Sequence, residues 1–73
     1  MLPQPKGTPD RLVLWPGGWV EFVELKKTGG VVSPAQHEQI ARLRALGFTV
    51  SVLTGRTEVE EWSERKKIWL ELL

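Results

Sequence analysis

The sequence predicts a small α/β domain in which a mixed β-sheet carries helices in the order β-β-α-β-α. Two short apolar runs flank Pro16-Gly17-Gly18, a pattern typical of a β-hairpin. A helix start signal then separates the second run from a further apolar run. Because a crossover of this length joins parallel strands, we expect the third strand to lie parallel to the second. At 73 residues the chain forms one domain, 1–73.

Each element has a local signature. The predicted strands are Arg11 to Trp15, Trp19 to Lys26 and Phe48 to Leu53. The first helix begins after Ser33, which suits an N-cap, with Pro34 at the first helical position and Gln36 closing a capping box. It runs to about Leu46. A second capping box, Thr57 with Glu60, predicts a helix that continues to roughly Leu70.

Composition excludes several classes of protein. The chain has no cysteine, so neither disulfides nor thiolate zinc sites stabilise it. Its net charge of +1 means that any DNA-binding surface must be a local basic patch. No apolar run approaches the roughly 20 residues that span a bilayer, so we expect no membrane partner. The polar, proline-rich segment 1–8 is expected to be flexible or to contact a partner, and a cytoplasmic location is expected.

Three charged residues lie on or beside two strands whose composition is otherwise typical of a buried core: Asp10, Glu24 and Lys26. Side chains alternate along a strand, so Glu24 and Lys26 point to the same face, about 6.6 Å apart. A hairpin centred near residue 17 pairs positions whose numbers add up to about 34 or 35, which brings Asp10 across from Glu24. Charged side chains are rarely buried unless a partner or an ion compensates them. The two carboxylates are therefore expected to meet beside the Lys26 ammonium.

Such a set of oxygens suits Mg²⁺ or Mn²⁺. Asp10 and Glu24 would hold the ion, with the backbone carbonyl of Leu25 as a third ligand. The ion would act on a phosphodiester as a Lewis acid and would lower the pKa of a water. Lys26 would orient that water or offset charge on the phosphate. Without a cation the carboxylates repel each other and one tends to take up a proton.

The order of these residues carries a family resemblance. Pro9-Asp10, thirteen intervening residues, Glu24-Leu25-Lys26 and then Gln36 resemble the PD-(D/E)xK nuclease superfamily, and within it the virus-type replication-repair nuclease (VRR-Nuc) domain. The resemblance implies a restriction-endonuclease-like core and Mg²⁺- or Mn²⁺-dependent cleavage of DNA. By position it makes Asp10 and Glu24 the metal-binding acids, Lys26 the catalytic lysine and Gln36 a further site residue.

The resemblance also implies a homodimer that cleaves branched DNA, such as a Holliday junction, in a phage or its bacterial host cell. One departure from the family pattern stands out. Members usually begin with a helix that bears a glutamate, whereas residues 1–9 contain no acidic residue and no helical pattern. That helix would be missing or supplied by another chain. A nuclease-fold DNA-binding or scaffold domain with weak or no catalysis is therefore the alternative function.

Other interpretations of the same residues stay open. Glu24 and Lys26 could form a plain surface ion pair, and Gln36 could serve only as the capping partner of Ser33. Three basic residues near the proposed site are expected to contact phosphate: Lys6, Arg11 and Lys27. The basic residues of the helices are interpreted as solvated faces: Arg42, Arg44, Arg65, Lys66 and Lys67. Four tryptophans are interpreted as core or dimer contacts in preference to platforms for stacked bases: Trp15, Trp19, Trp62 and Trp69.

Overall fold

The computed structural model describes residues 6–72, and side chains as far as residue 71. Three strands and two helices follow one another in the predicted order: β1 (Arg11–Trp15), β2 (Trp19–Lys26), α1 (Pro34–Ala45), β3 (Thr49–Thr54) and α2 (Gly55–Leu72). The predicted β-β-α-β-α order is confirmed. Residues 1–5 of the proposed N-terminal segment 1–8 lie outside the described part of the chain. No helix between residues 6 and 72 is long and apolar enough to cross a membrane.

The three strands form one mixed sheet in the order β1-β2-β3. β1 pairs antiparallel with β2, and the register joins Arg11 to Val23 and Trp15 to Trp19. β3 pairs parallel with β2, as the length of the helical crossover predicts. In the hairpin turn Gly17 and Gly18 both have positive φ, which explains why glycine suits this position.

The central strand β2 sends its side chains to two different faces. Phe22 and Glu24 lie on the face covered by α1, because Gln36 of that helix reaches Glu24. Glu21 lies on the opposite face, where Trp62 and Lys66 of α2 contact it. The fold therefore separates two buried carboxylates of one strand, each facing a different helix.

The apolar core is small, as expected for a chain of this length. Among the described residues, four hydrophobic side chains are buried: Val23, Ile40, Val50 and Leu53. Large apolar side chains remain exposed on β1, where Leu12 is 57% and Leu14 is 72% accessible. They are cross-strand partners of Phe22 and Val20, so they lie on the same face as Glu24. This face of β1 is left uncovered in the described chain.

A buried carboxylate occupies the middle of the α2 face. Glu21 is only 1% exposed, and four donors satisfy it. Its Oε1 accepts from Trp15 Nε1 at 3.0 Å and lies 3.1 Å from Lys66 Nζ. Its Oε2 accepts from Ser51 Oγ at 2.6 Å and from Trp62 Nε1 at 3.1 Å. Through Glu21 the network connects the two outer strands, β1 and β3, to α2.

The interpretation of Lys66 as a solvated helix residue is wrong. Its side chain is 29% exposed, and its ammonium lies against Glu21 and 5.7 Å from the centre of the Trp15 ring. An ammonium in this position compensates the buried carboxylate and also gains from the face of the indole. Helical charge patterns do not show this, because the partner lies 45 residues earlier on β2.

Several predicted boundaries differ from the structure, and two of the differences have a clear physical reason. β3 begins one residue later than predicted, at Thr49, because Phe48 follows the end of α1 and its N–H donates to the Leu43 carbonyl. The predicted N-cap role of Thr57 is wrong, since α2 already begins at Gly55 and Thr57 lies inside its first turn. The Glu58 carboxylate accepts instead from the backbone N–H of Thr54. A strand that passes directly into a helix leaves no loop for the predicted cap.

Gly7 fits closely against the start of α1. It has φ +88°, and a Cβ at this position would lie 2.4 Å from the Ala35 carbonyl oxygen and 2.7 Å from the Gln36 nitrogen. Since both are backbone atoms, a side chain cannot be accommodated without moving the helix. Gly7 therefore sets how closely the segment before β1 approaches the N-terminus of α1.

We expect Gly7→Ala to lower the free energy of unfolding by at least about 2 kcal/mol, as the sum of a strained φ and a backbone clash. Gly29→Ala is the matched control, because Gly29 also has positive φ (+83°) but no atom within 4 Å of an added Cβ. The control should lose only about 1 kcal/mol. Urea unfolding measures both, and equal losses would show that the close approach contributes nothing.

Candidate active site

Asp10 and Glu24 meet where β1 begins beside the end of β2. The backbone N–H of Asp10 donates to Glu24 Oε2 at 3.2 Å, and the Leu25 N–H lies 3.5 Å from Asp10 Oδ1. Arg11 pairs with Val23, so the hairpin has the register that the sequence predicts. Asp10 itself is exposed, whereas Glu24 is only 5% accessible. The pair thus combines one buried carboxylate with one open to an incoming ligand.

Glu24 is held from three directions. Besides the Asp10 N–H, its Oε1 accepts from Gln36 Nε2 and lies 4.0 Å from Lys26 Nζ. Burial raises the pKa of the Glu24 carboxyl, and the Asp10 carboxylate raises it further, whereas the Asp10 N–H and the Lys26 charge oppose the rise. The net direction is upward. A cation between the two carboxylates would relieve this repulsion.

The carbonyl of Leu25 lies on the same edge. Amide and carbonyl groups of one strand residue point to the same side, and the Leu25 N–H points to Asp10. Continued by two residues, the β1–β2 register would set Pro9 opposite Leu25. Because proline has no N–H, it cannot donate to the Leu25 carbonyl. The Pro9-Asp10 pair therefore supplies one acid, and its proline does not bond to the Leu25 carbonyl.

Gln36 makes two kinds of contact, a capping box at the start of α1 and a hydrogen bond to Glu24, and its role in the site's chemistry stays a prediction. Its Oε1 accepts from the Ser33 N–H at 2.9 Å, and its own N–H donates to Ser33 Oγ at 3.2 Å, which completes the capping box. Its Nε2 donates to Glu24. One amide side chain thus fixes the start of α1 and directs that helix N-terminus at the carboxylate pair.

The remaining predicted site residues are less close to this centre. Arg11 is the cross-strand partner of Val23, so its side chain lies on the face of β2 away from Glu24. Lys6 is exposed and precedes Gly7, which contacts the start of α1. Lys27 is exposed directly after Lys26. The structure brings together Asp10, Glu24, Lys26 and Gln36, and it does not bring Arg11 to them.

Known proteins resemble this chain over the segment that carries the site. The VRR-NUC domain family matches residues 4–57, which include all four converging side chains. The chain belongs to the VRR-NUC family. A protein of Acyrthosiphon pisum secondary endosymbiont phage 1, named "Putative nuclease p44", is 49% identical over 54 residues, which are 74% of this chain and 58% of that protein. The chain therefore matches somewhat more than half of that relative's length. No solved structure matches it significantly.

The VRR-NUC donor set suits a hard divalent cation. Its oxygens are the Asp10 and Glu24 carboxylates and the Leu25 carbonyl, and Mg²⁺ commonly binds through one or two carboxylates plus water and substrate phosphate. No group of three or more His, Cys, Asp or Glu side chains between residues 6 and 72 is arranged to hold a metal. These three oxygens could form only part of a coordination shell for such an ion.

We expect Gln36→Ala to cost about 1 kcal/mol of unfolding free energy, because the capping box and the bond to Glu24 are both lost. Gln39→Ala on the same helix is the control, since Gln39 makes no hydrogen bond among the described residues. Urea unfolding at neutral pH measures both variants. If the two lose the same stability, the Gln36 amide does not join the helix start to the site.

Proposed function

We propose that this VRR-NUC domain is a Mg²⁺- or Mn²⁺-dependent endonuclease that hydrolyses phosphodiester bonds in branched DNA, such as a Holliday junction, as a homodimer. One observation carries the proposal. The Asp10 and Glu24 carboxylates meet at the end of β2 with Lys26 and Gln36 beside them. The family match and the relative named as a nuclease support the same class of chemistry.

Asp10, Glu24 and the Leu25 carbonyl would hold the cation, which supplies Lewis-acid activation of the phosphodiester when it is bound. Asp10 is exposed and can turn to meet an ion that arrives with the substrate. Glu24 is fixed by the Asp10 N–H and by Gln36, which limits its freedom before binding. A preorganised carboxylate loses little entropy when it binds an ion.

Lys26 would act on the reacting phosphate. Its side chain is 20% exposed and lies on the same face as Glu24. At 4.0 Å from Glu24 Oε1 its ammonium makes no short ion pair, so its three N–H groups can turn to a phosphate oxygen or an attacking water. An ammonium in a partly desolvated site stabilises charge that develops in the transition state.

The start of α1 would help to bind the phosphate backbone. The dipole of a helix favours anions at its N-terminus, and the first turn of α1 contains no acidic residue that would offset this. Gln36 directs this end at the carboxylate pair. Exposed Lys6 and Lys27 are proposed as further phosphate contacts, and they would give binding its dependence on salt.

A homodimer is supported by the uncovered face of β1. Leu12 and Leu14 are exposed on the face that also carries Glu24, and apolar surface of this kind is typical of subunit contacts. A two-fold dimer would present two sites on one assembly, as symmetric cleavage of a four-way junction requires. Sedimentation at micromolar concentration tests this, and a folded monomer would contradict it.

A second function is a DNA-binding or scaffold domain with the nuclease fold and little catalysis. The observation that favours it is the pair of carboxylates, since the described residues add no third acidic ligand. Titration with Mn²⁺ separates the two functions. A scaffold should bind no Mn²⁺ in a saturable way that depends on Glu24.

The direct test is incubation of labelled junction, flap and duplex DNA with the protein and Mg²⁺ or Mn²⁺. Cleavage that prefers the branched substrates, and that Asp10→Ala abolishes, would support the proposal. Glu64→Ala serves as control, because Glu64 is an exposed α2 residue. Cleavage that survives Asp10→Ala would overturn the assignment of this site.

A further inference from the structure

A cavity of about 390 Å³ lies between α2 and the hairpin end of the sheet, on the face away from Glu24. All four tryptophans line it: Trp15, Trp19, Trp62 and Trp69. Their rings form a chain of contacts, with centroid distances of 5.9 Å (Trp15–Trp62), 6.2 Å (Trp15–Trp69) and 5.0 Å (Trp19–Trp69). The tryptophans therefore surround an open cavity. Side chains that served only as core contacts would leave no such space.

The cavity offers no carboxylate oxygen to a cationic ligand. Glu21 is the acid in its wall, and both Glu21 oxygens already accept from two groups each. A carboxylate has about four acceptor positions, and all are used. Lys66 also neutralises its charge. A cation that entered this aromatic cavity would find no acceptor on Glu21.

Donors, in contrast, are available. Among residues 6–72, the indole N–H groups of Trp19 and Trp69 have no acceptor, and the Arg65 guanidinium has neither an ion pair nor a hydrogen bond. The cavity is thus aromatic, rich in donors and positively charged at Arg65. A matching ligand is an aromatic ring with acceptors, attached to an anion.

We propose that this cavity binds one unpaired nucleotide of a DNA strand, with the base against Trp19 and Trp69 and its phosphate on Arg65. Stacking on aromatic side chains is a common, sequence-tolerant way to hold single-stranded bases. The volume lies within the range of about 300–1,000 Å³ that is typical of ligand sites. The strand would belong to the branched substrate, an assignment that rests on the proposed function.

This site is distinct from the nuclease centre. Glu21 and Glu24 point to opposite faces of β2, so the cavity and the carboxylate pair lie on two sides of the sheet. Trp62, Arg65 and Trp69 belong to α2 beyond residue 57, where the VRR-NUC match ends. The site would hold an unpaired strand while the other face cuts.

The test measures fluorescence anisotropy of a labelled ten-nucleotide oligo-dT without divalent metal, against an abasic strand of the same length. The wild-type chain should bind oligo-dT about tenfold more tightly, because only oligo-dT can stack. Trp19→Ala should bring this ratio close to one, and Glu64→Ala, at an exposed position of α2, should leave it unchanged. Equal binding of both strands by the wild type would overturn the proposal.

Arg65→Ala tests the phosphate contact and does not depend on the Trp19 variant. It should weaken binding of both strands and reduce the slope of log affinity against log salt by about 0.7. Arg42→Ala on α1 removes the same charge from the other face and should change neither. Equal effects of the two variants would contradict the proposal, as would a dimer that buries the cavity and excludes oligo-dT.

The absence of metal keeps this test separate from catalysis. A chain that shows base-dependent binding but cuts no DNA would retain the cavity assignment and lose the nuclease function. A chain that cuts branched DNA but binds both strands equally would retain the nuclease function and lose the cavity assignment.

Discussion

Lys26→Met is expected to lower kcat for junction cleavage by about 10²- to 10³-fold, the typical effect of removing one group that stabilises charge in a transition state. Methionine keeps the apolar stem, which is mostly buried, and removes the ammonium 4.0 Å from Glu24. The expected loss is in kcat, since the amine acts on charge that develops during reaction. Single-turnover cleavage with saturating protein measures it.

Lys27→Met is the matched control, because it removes the same charge from the next residue, which is exposed. We expect the control to weaken binding only a few-fold and to leave kcat near the wild-type value. Similar kcat losses in both variants would show that local positive charge matters and that the position of Lys26 does not.

Glu21→Gln is expected to lower the free energy of unfolding by about 2–4 kcal/mol at pH 7. The new amide NH2 group would stand where a carboxylate oxygen accepts hydrogen bonds, so it would face donors. Lys66 would also lose its counter-charge. For a domain of this size the loss is a large part of a total stability of roughly 4–11 kcal/mol. Glu64→Gln, on the exposed side of α2, should change stability by less than about 0.5 kcal/mol.

This effect should depend on pH in a known direction. Burial alone would raise the pKa of Glu21, but hydrogen bonds from Ser51, Trp62, Lys66 and Trp15 lower it below its ordinary value of 4.5. A lowered pKa stabilises the fold above 4.5, and this contribution is lost as pH falls through the folded-state value. The gap between wild type and Glu21→Gln should thus shrink below pH 4.5. A gap that widens on acidification would contradict the network.

Much of the proposed nuclease site follows from local sequence rules. Strand alternation sets Glu24 and Lys26 on one face, and the Pro-Gly-Gly turn fixes the register that brings Asp10 to Glu24. The same register places Arg11 apart from Asp10 and Glu24, and its contact with DNA phosphate stays a prediction. A residue opposite Val23 must share its face, and Val23 points away from Glu24.

The α2 face could not be predicted in the same way. Glu21 shares a face of β2 with the buried Val23, and sequence alone gives no sign that a charge at this position is satisfied. Its donors come from β1, β3 and α2, and they lie 6, 30, 41 and 45 residues away in the chain. Only tertiary packing brings them together. The cavity that the tryptophans surround has the same origin.

The most direct measurement for the nuclease assignment is a crystal structure grown with Mn²⁺, with anomalous data collected to locate the ion. We expect a single anomalous peak within coordination distance of Asp10 and Glu24, lost in Glu24→Gln crystals. A peak elsewhere, or none between these carboxylates at saturating Mn²⁺, would contradict the account.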